Sequence, residues 1–124
     1  MRIFLNRPFQ RFARNEGISD DAVCEAIARA ERGLVDADLG GGVIKQRIPR
    51  PGEGRSGGFR SVILYQARQR SFFVYGFPKN ERENITEDDL RGYREFAAQM
   101  LVYDEGLLEQ AVKDKLWKEV RCDE

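Results

Sequence analysis

The chain has 124 residues, 41% apolar and 34% charged, which is material for one hydrophobic core and hardly for a second. No apolar run approaches the ~18 residues a spanning helix needs, and the run after Met1 is too short for a secretory leader, so the cytoplasm is the expected compartment. With no histidine and two cysteines, the chain lacks the ligand set of a zinc site and the nucleophile systems built on Ser-His-Asp or Cys-His.

In chain order, residues 2–5 read as a short strand. Pro8 suits the first turn of a helix whose apolar positions are Phe9, Phe12 and Ala13 and which Gly17 ends. Ser19 is an N-cap for a second helix, with Asp20 and Asp21 at the positive end of its dipole. Ala22, Val23, Ala26, Ile27 and Ala30 form its stripe, and Gly33 stops it. Cys24 is expected to pack beside that stripe as a small hydrophobe, and Cys122 to sit in a polar tail, with no bridge between them.

Gly40-Gly41-Gly42 breaks the chain. Residues 43–48 then alternate as a strand, with Ile44 and Ile48 on one face and Lys45 and Arg47 on the other. Residues 49–58 carry prolines and glycines and read as a flexible loop. Residues 59–66 and 71–77 read as the two strands of a hairpin. Thr86 and Asp89 fit a capping box before a helix with Leu90, Tyr93, Ala97, Met100 and Leu101 as its stripe. After a break at 103–106, a last helix is expected over 106–120 with Leu108, Val112 and Leu116 inward. The sum is an α+β fold: a small antiparallel sheet, an N-terminal αα-hairpin and C-terminal helices, in a single domain over 1–124.

The net charge of zero conceals an asymmetry. Residues 45–82 hold nine basic side chains and two acidic ones, so this segment carries +7 and the remainder −7. A basic centre of this kind suits a polyanion, although charge asymmetry also arises on plain solvated surfaces. Gly52 to Gly57 matches G-x-G-x-x-G by letter, yet a strand follows where a dinucleotide site needs a helix N-terminus. A glycine-rich basic loop that lets backbone approach a phosphate is the better description. Asp20-Asp21 and Asp88-Asp89 stand at helix starts and serve the dipole there; nothing in their placement suggests a metal.

The informative stretches are Lys45-Gln46-Arg47, Gly57-Gly58-Phe59-Arg60 and Phe77-Pro78-Lys79-Asn80-Glu81-Arg82. In them the chain resembles the RelE/HigB toxins of toxin–antitoxin pairs, over roughly residues 2–103. The resemblance implies a small antiparallel sheet carrying an αα-hairpin, and cleavage of mRNA in the ribosomal A site. By position it assigns Lys45, Arg47, Arg60 and Arg82 to the cleft, with Lys79 close by. Relatives often place a Tyr or His soon after the last Arg, whereas Glu83-Asn84-Ile85-Thr86 follows here, so base stacking would fall to Tyr75, Phe77 or Tyr93. Arg50 and Arg55 are further candidate RNA contacts, and Arg68 and Arg70 are expected as solvated charges or contacts to ribosomal RNA phosphates.

The chemistry expected of such a site needs no metal and no cofactor. The RNA 2′-OH attacks the adjacent phosphorus, and Arg47, Arg60 and Arg82 hold the phosphorane oxygens. Lysine crowded by like charges becomes a better proton donor and acceptor near neutral pH. Lys45 is therefore the leading proton-transfer candidate, ahead of Lys79 and Glu81, with the roles of base and acid left open. The implied partners are a cognate helix-turn-helix antitoxin, mRNA and the ribosomal A site, with operator DNA reached only through the antitoxin and no membrane contact. The antitoxin would cover the basic cleft, or dock on the first two helices, the sheet edge or the 106–120 helix. Two other readings share the fold: a ParE-like inhibitor of DNA gyrase, and a catalytically weak module that binds RNA or antitoxin.

Overall fold

The computed structural model describes residues 1–50, 54–78 and 85–122, and side chains over 1–50, 58–78 and 85–122. Strand β1, Arg2–Asn6, runs directly into helix α1, Arg7–Glu16, because Asn6 turns the chain: its side-chain oxygen accepts from the Phe9 N–H at 2.8 Å. Helix α2, Asp20–Glu31, starts at Ser19, whose hydroxyl accepts from Ala22 N–H. Then come β2 (Ala37–Gly40), β3 (Val43–Arg50), β4 (Gly54–Gln66) and β5 (Arg70–Pro78). Helix α3, Glu87–Met100, carries the complete Thr86–Asp89 capping box, and α4, Glu105–Lys113, leads to β6, Trp117–Val120.

These strands form one sheet in the order β2-β3-β4-β5-β1-β6. All neighbours are antiparallel except β1 and β5, which run parallel. Period-two alternation gives the sheet two apolar faces. Ile3, Leu5, Ile44, Ile48, Phe59, Ile63 and Phe73 pack under α1 and α2. Phe4, Val43, Val62, Leu64 and Phe72 pack under α3 and α4, against Ala97, Met100 and Leu108. Close approach of α1 to the sheet depends on Gly76, where an added Cβ would lie 2.5 Å from the Phe12 ring. The β2–β3 turn depends on Gly40, Gly41 and Gly42, all at positive φ.

Several sequence expectations change. Strand β2 was not foreseen; it is short, and only its alternate residues are partly buried. Residues 49–58 were expected as a loop, whereas Pro49 and Arg50 belong to β3 and β4 begins at Gly54, with Arg50 opposite Gly54. The expected helix over 106–120 stops at Lys113; Lys115 takes a left-handed φ of 63°, and the chain returns as β6. Leu116 is consequently half exposed, and Trp117 enters the core in its place.

Cys24 and Cys122, expected as separate thiols, form a disulfide. Strand β6 explains it. Strand β6 pairs with β1 and carries Val120 into the cluster that contains α2, which leaves Cys122 beside Cys24. Arg70, expected as a solvated charge, is buried. It is 9% exposed, and its guanidinium donates to the carbonyls of Met100 and Tyr103 and meets Glu105, tying the α3–α4 connection to the sheet. Arg68 lies at the turn with φ 65°, and its N–H donates to Glu31.

Arg2 joins three elements, meeting Glu119 of β6 at 2.9 Å and Glu105 and Glu109 of α4. The hydrogen bond from Arg2 holds the Glu119 carboxyl below its ordinary value of 4.5, against the opposing effect of burial. A carboxyl depressed in the folded state adds stability that is complete above its unfolded pKa and disappears as pH falls through the folded value. Glu119→Gln should therefore cost about 1.5–3 kcal/mol at neutral pH, the range for hydrogen bonds to charged groups. That cost should shrink toward zero in acid. Denaturant midpoints of both proteins from about pH 7 to about pH 3 check this; a difference that is constant with pH would contradict it.

Candidate functional site

Alternation along β3 sends Ile44, Gln46 and Ile48 toward α1 and α2, and Val43, Lys45 and Arg47 toward the α3 side. Register extends this across three strands. Lys45 opposes Val62, which opposes Tyr75; Arg47 opposes Arg60, which opposes Phe77. Residues directly opposite share a face, so the structure brings Lys45, Arg47, Arg60, Tyr75 and Phe77 together at one end of the sheet. Lys45, Arg47 and Arg60 are half-buried, Tyr75 is exposed, and Phe77 is buried with its ring 5.7 Å from that of Tyr75.

A β-bulge makes this possible. The register slips between Val62 and Ile63, which oppose Tyr75 and Phe73, so Val74 is an extra residue on β5. Phe72 and Val74 both belong to the α3-side core. Strict alternation would then turn Tyr75 to the α1 face. The bulge instead returns Tyr75 and Phe77 to the basic face and sends Gly76 toward Phe12. Sequence alternation alone could not reveal this, because every residue from Phe72 to Tyr75 is apolar or aromatic.

Arg50 does not join the group. Its guanidinium lies over the Phe59 ring, 4.8 Å from the centroid, and Phe59 packs with Phe12 on the α1 side. The slip between Ile48 and Arg50 accompanies that change of direction. The side chain of Arg55, and Lys79, Glu81 and Arg82 altogether, lie outside the described residues.

Tyr93 of α3 borders the site. Burial raises its hydroxyl pKa, and the charges of Asp89 and then Tyr75 raise it further, so this phenol stays protonated at neutral pH. Sequence reasoning also passed over Gln46. A polar side chain on the Ile44–Ile48 face is the readable signal, since a buried amide needs partners. Gln46 is fully buried and finds them in α2 and the segment that follows it.

Two arginines directly opposite on neighbouring strands repel each other and cost the sheet stability. A guanidinium is also a planar fork of fixed charge that can grip an anion through paired N–H groups. Fold and site thus define a small α+β protein with lysine and arginine on two neighbouring strands and an aromatic pair on the third. A family model described as the RelE toxin of the RelE/RelB toxin–antitoxin system matches residues 1–120, and the chain belongs to that family. No curated protein matches the chain. Among the described residues, no helix is long and apolar enough to cross a membrane, which says nothing of a β-barrel.

Proposed function

We propose that this toxin is an mRNA endoribonuclease that acts at the ribosomal A site without a metal ion, stops translation, and is held in check by a cognate helix-turn-helix antitoxin. The observation that carries the reading is the Arg47–Arg60 pair, opposed in register beside Lys45 and the exposed Tyr75. In the reaction, the 2′-oxygen bonds to the adjacent phosphorus as the bond to the 5′-oxygen breaks. One proton leaves the 2′-OH and another reaches the departing 5′-oxygen. The phosphorane gains negative charge on its non-bridging oxygens.

Arg47 and Arg60 stabilise that charge by bidentate hydrogen bonds, which are worth more in a partly desolvated cleft than in water. Lys45, one row along the same face, is the proton-transfer group. Arg82 and Lys79 complete the clamp in this reading. Tyr75 offers a ring face to a base, and the Phe77 ring packs against it in a tilted arrangement.

The test is cleavage of mRNA on programmed ribosomes, with the 3′ ends of the products analysed. The expected ends are 2′,3′-cyclic phosphates. Cleavage should also persist in excess EDTA, in an assay where magnesium is not otherwise needed to keep ribosomes assembled. Products bearing 5′-phosphate ends would mean attack by water and defeat the mechanism. Intact RNA together with broken DNA in gyrase reactions would move the protein to the ParE-like reading.

A further inference from the structure

Strand β3 loses its outer neighbour halfway along. Strand β2 pairs with it from Gly40 opposite Val43 to Ala37 opposite Lys45, and no further. An open strand edge would ordinarily fray or recruit another chain. It would do so at Arg47, which lies two residues past Lys45, the end of the pairing with β2, and itself opposes Arg60.

Side chains take the place of the missing strand. The Asp36 carboxylate accepts from the Arg47 N–H at 2.6 Å. Arg29 of α2 donates to the Arg47 carbonyl. Both backbone groups of Arg47 are therefore bonded to charged side chains, the stronger class of hydrogen bond. Arg29 is itself oriented by Asp36 at 3.6 Å and Glu25 at 3.9 Å. Gln46 fixes the segment that presents Asp36. Its side-chain oxygen accepts from Asp36 N–H at 2.7 Å, while its NH2 donates to the carbonyls of Ala26 at 2.9 Å and Leu34 at 3.3 Å. On the inner edge, the Ser61 hydroxyl donates to the Gln46 carbonyl at 3.0 Å.

We propose that Gln46, Asp36 and Arg29 are positioning residues that brace the β3 backbone at Arg47 and so hold the Lys45 and Arg47 side chains in register with Arg60 for RNA phosphate. Gln46 turned into the core sends its two neighbours to the opposite face, and Asp36 and Arg29 stop the strand end from drifting. The proposal rests on the ribonuclease reading above. Its physical content is that an Arg47 guanidinium displaced by about 1 Å loses up to about 100-fold in rate, although no bond to substrate is removed.

The full chain is tested as Asp36→Ala and Asp36→Asn, beside the parent. Cleavage is measured in single turnover over a range of ribosome concentrations, together with hydrogen exchange at the Arg47 amide. Asp36→Ala should cleave about 10–100-fold more slowly at saturating ribosomes. Its half-saturation concentration should stay within about threefold of the parent, a split that marks a defect in the reacting geometry. The Arg47 amide should exchange faster. Asp36→Asn keeps an oxygen that accepts from Arg47 N–H and should recover most of the rate. A folded Asp36→Ala that melts earlier yet cleaves as fast as an active parent would overturn the proposal alone, leaving the brace a matter of stability. A parent that cuts no RNA on ribosomes would overturn the ribonuclease reading, and the proposal with it.

Discussion

Arg60→Ala is expected to slow mRNA cleavage by about 100–1,000-fold, the loss that follows removal of one donor to a developing oxyanion, or about 2.7–4 kcal/mol in barrier. Arg60 stands in the middle of its row, between Arg47 on β3 and Phe77 on β5. A half-buried guanidinium is less screened than one in bulk water, so its effect on phosphorane charge is correspondingly large. Arg47→Ala and Arg82→Ala should fall in the same range. Arg60→Lys should lie between, because it keeps the charge and loses the planar fork. The variants should relieve growth inhibition at equal expression while keeping the parental melting midpoint to within a few degrees. If Arg47→Ala and Arg60→Ala both cleave at the parental rate, the basic face is not the site.

How much of this was legible in the sequence varied with the kind of signal. Caps and breakers carried their own local physics: Asn6 aside, Ser19, Gly17, Thr86 and Asp89 mark the helix ends where they occur. The face shared by Lys45 and Arg47 followed from alternation. Their junction with Arg60 depended on register, which the sequence left to family resemblance. Non-local effects stayed hidden. Arg70 looked like a turn charge because its partners, the carbonyls of Met100 and Tyr103, lie thirty or more residues away and are backbone atoms with no sequence signature. Strand β6 looked helical because Leu108 and Val112 do fall on a helix stripe, and Leu116 extends that stripe by spacing alone. The brace on Arg47 was partly visible, since Gln46 sits at a core position, but the identity of its partners required the fold.

Reducing the Cys24–Cys122 bond is expected to remove about 2–5 kcal/mol of stability without unfolding the protein. The two cysteines are 98 residues apart in sequence, and cross-linking so long a loop restricts the unfolded chain by up to about 4–5 kcal/mol on the chain-entropy account. The native side of the balance limits the damage. Strand β6 keeps its four pairings to β1, Trp117 and Val120 stay in the core, and Lys118 still meets Asp20 at 3.0 Å. Set against a total of about 5–15 kcal/mol for an ordinary domain, the loss is large. It should lower the melting midpoint by roughly 10 °C or more for a chain of this size. The compartment then matters. Cytosolic thiols are kept reduced, so a cytoplasmic location and an intact bond pull in opposite directions, and a chain held in the cytosol would exist as the less stable dithiol. Melting curves with and without reductant measure the effect, and a Cys24→Ser/Cys122→Ser double variant repeats it without reagent. Alkylation of thiols in freshly lysed cells then reports which form is present. Oxidised, reduced and double-variant proteins that melt together would show that the pairing of β6 with β1, and not the disulfide, secures the end of the chain.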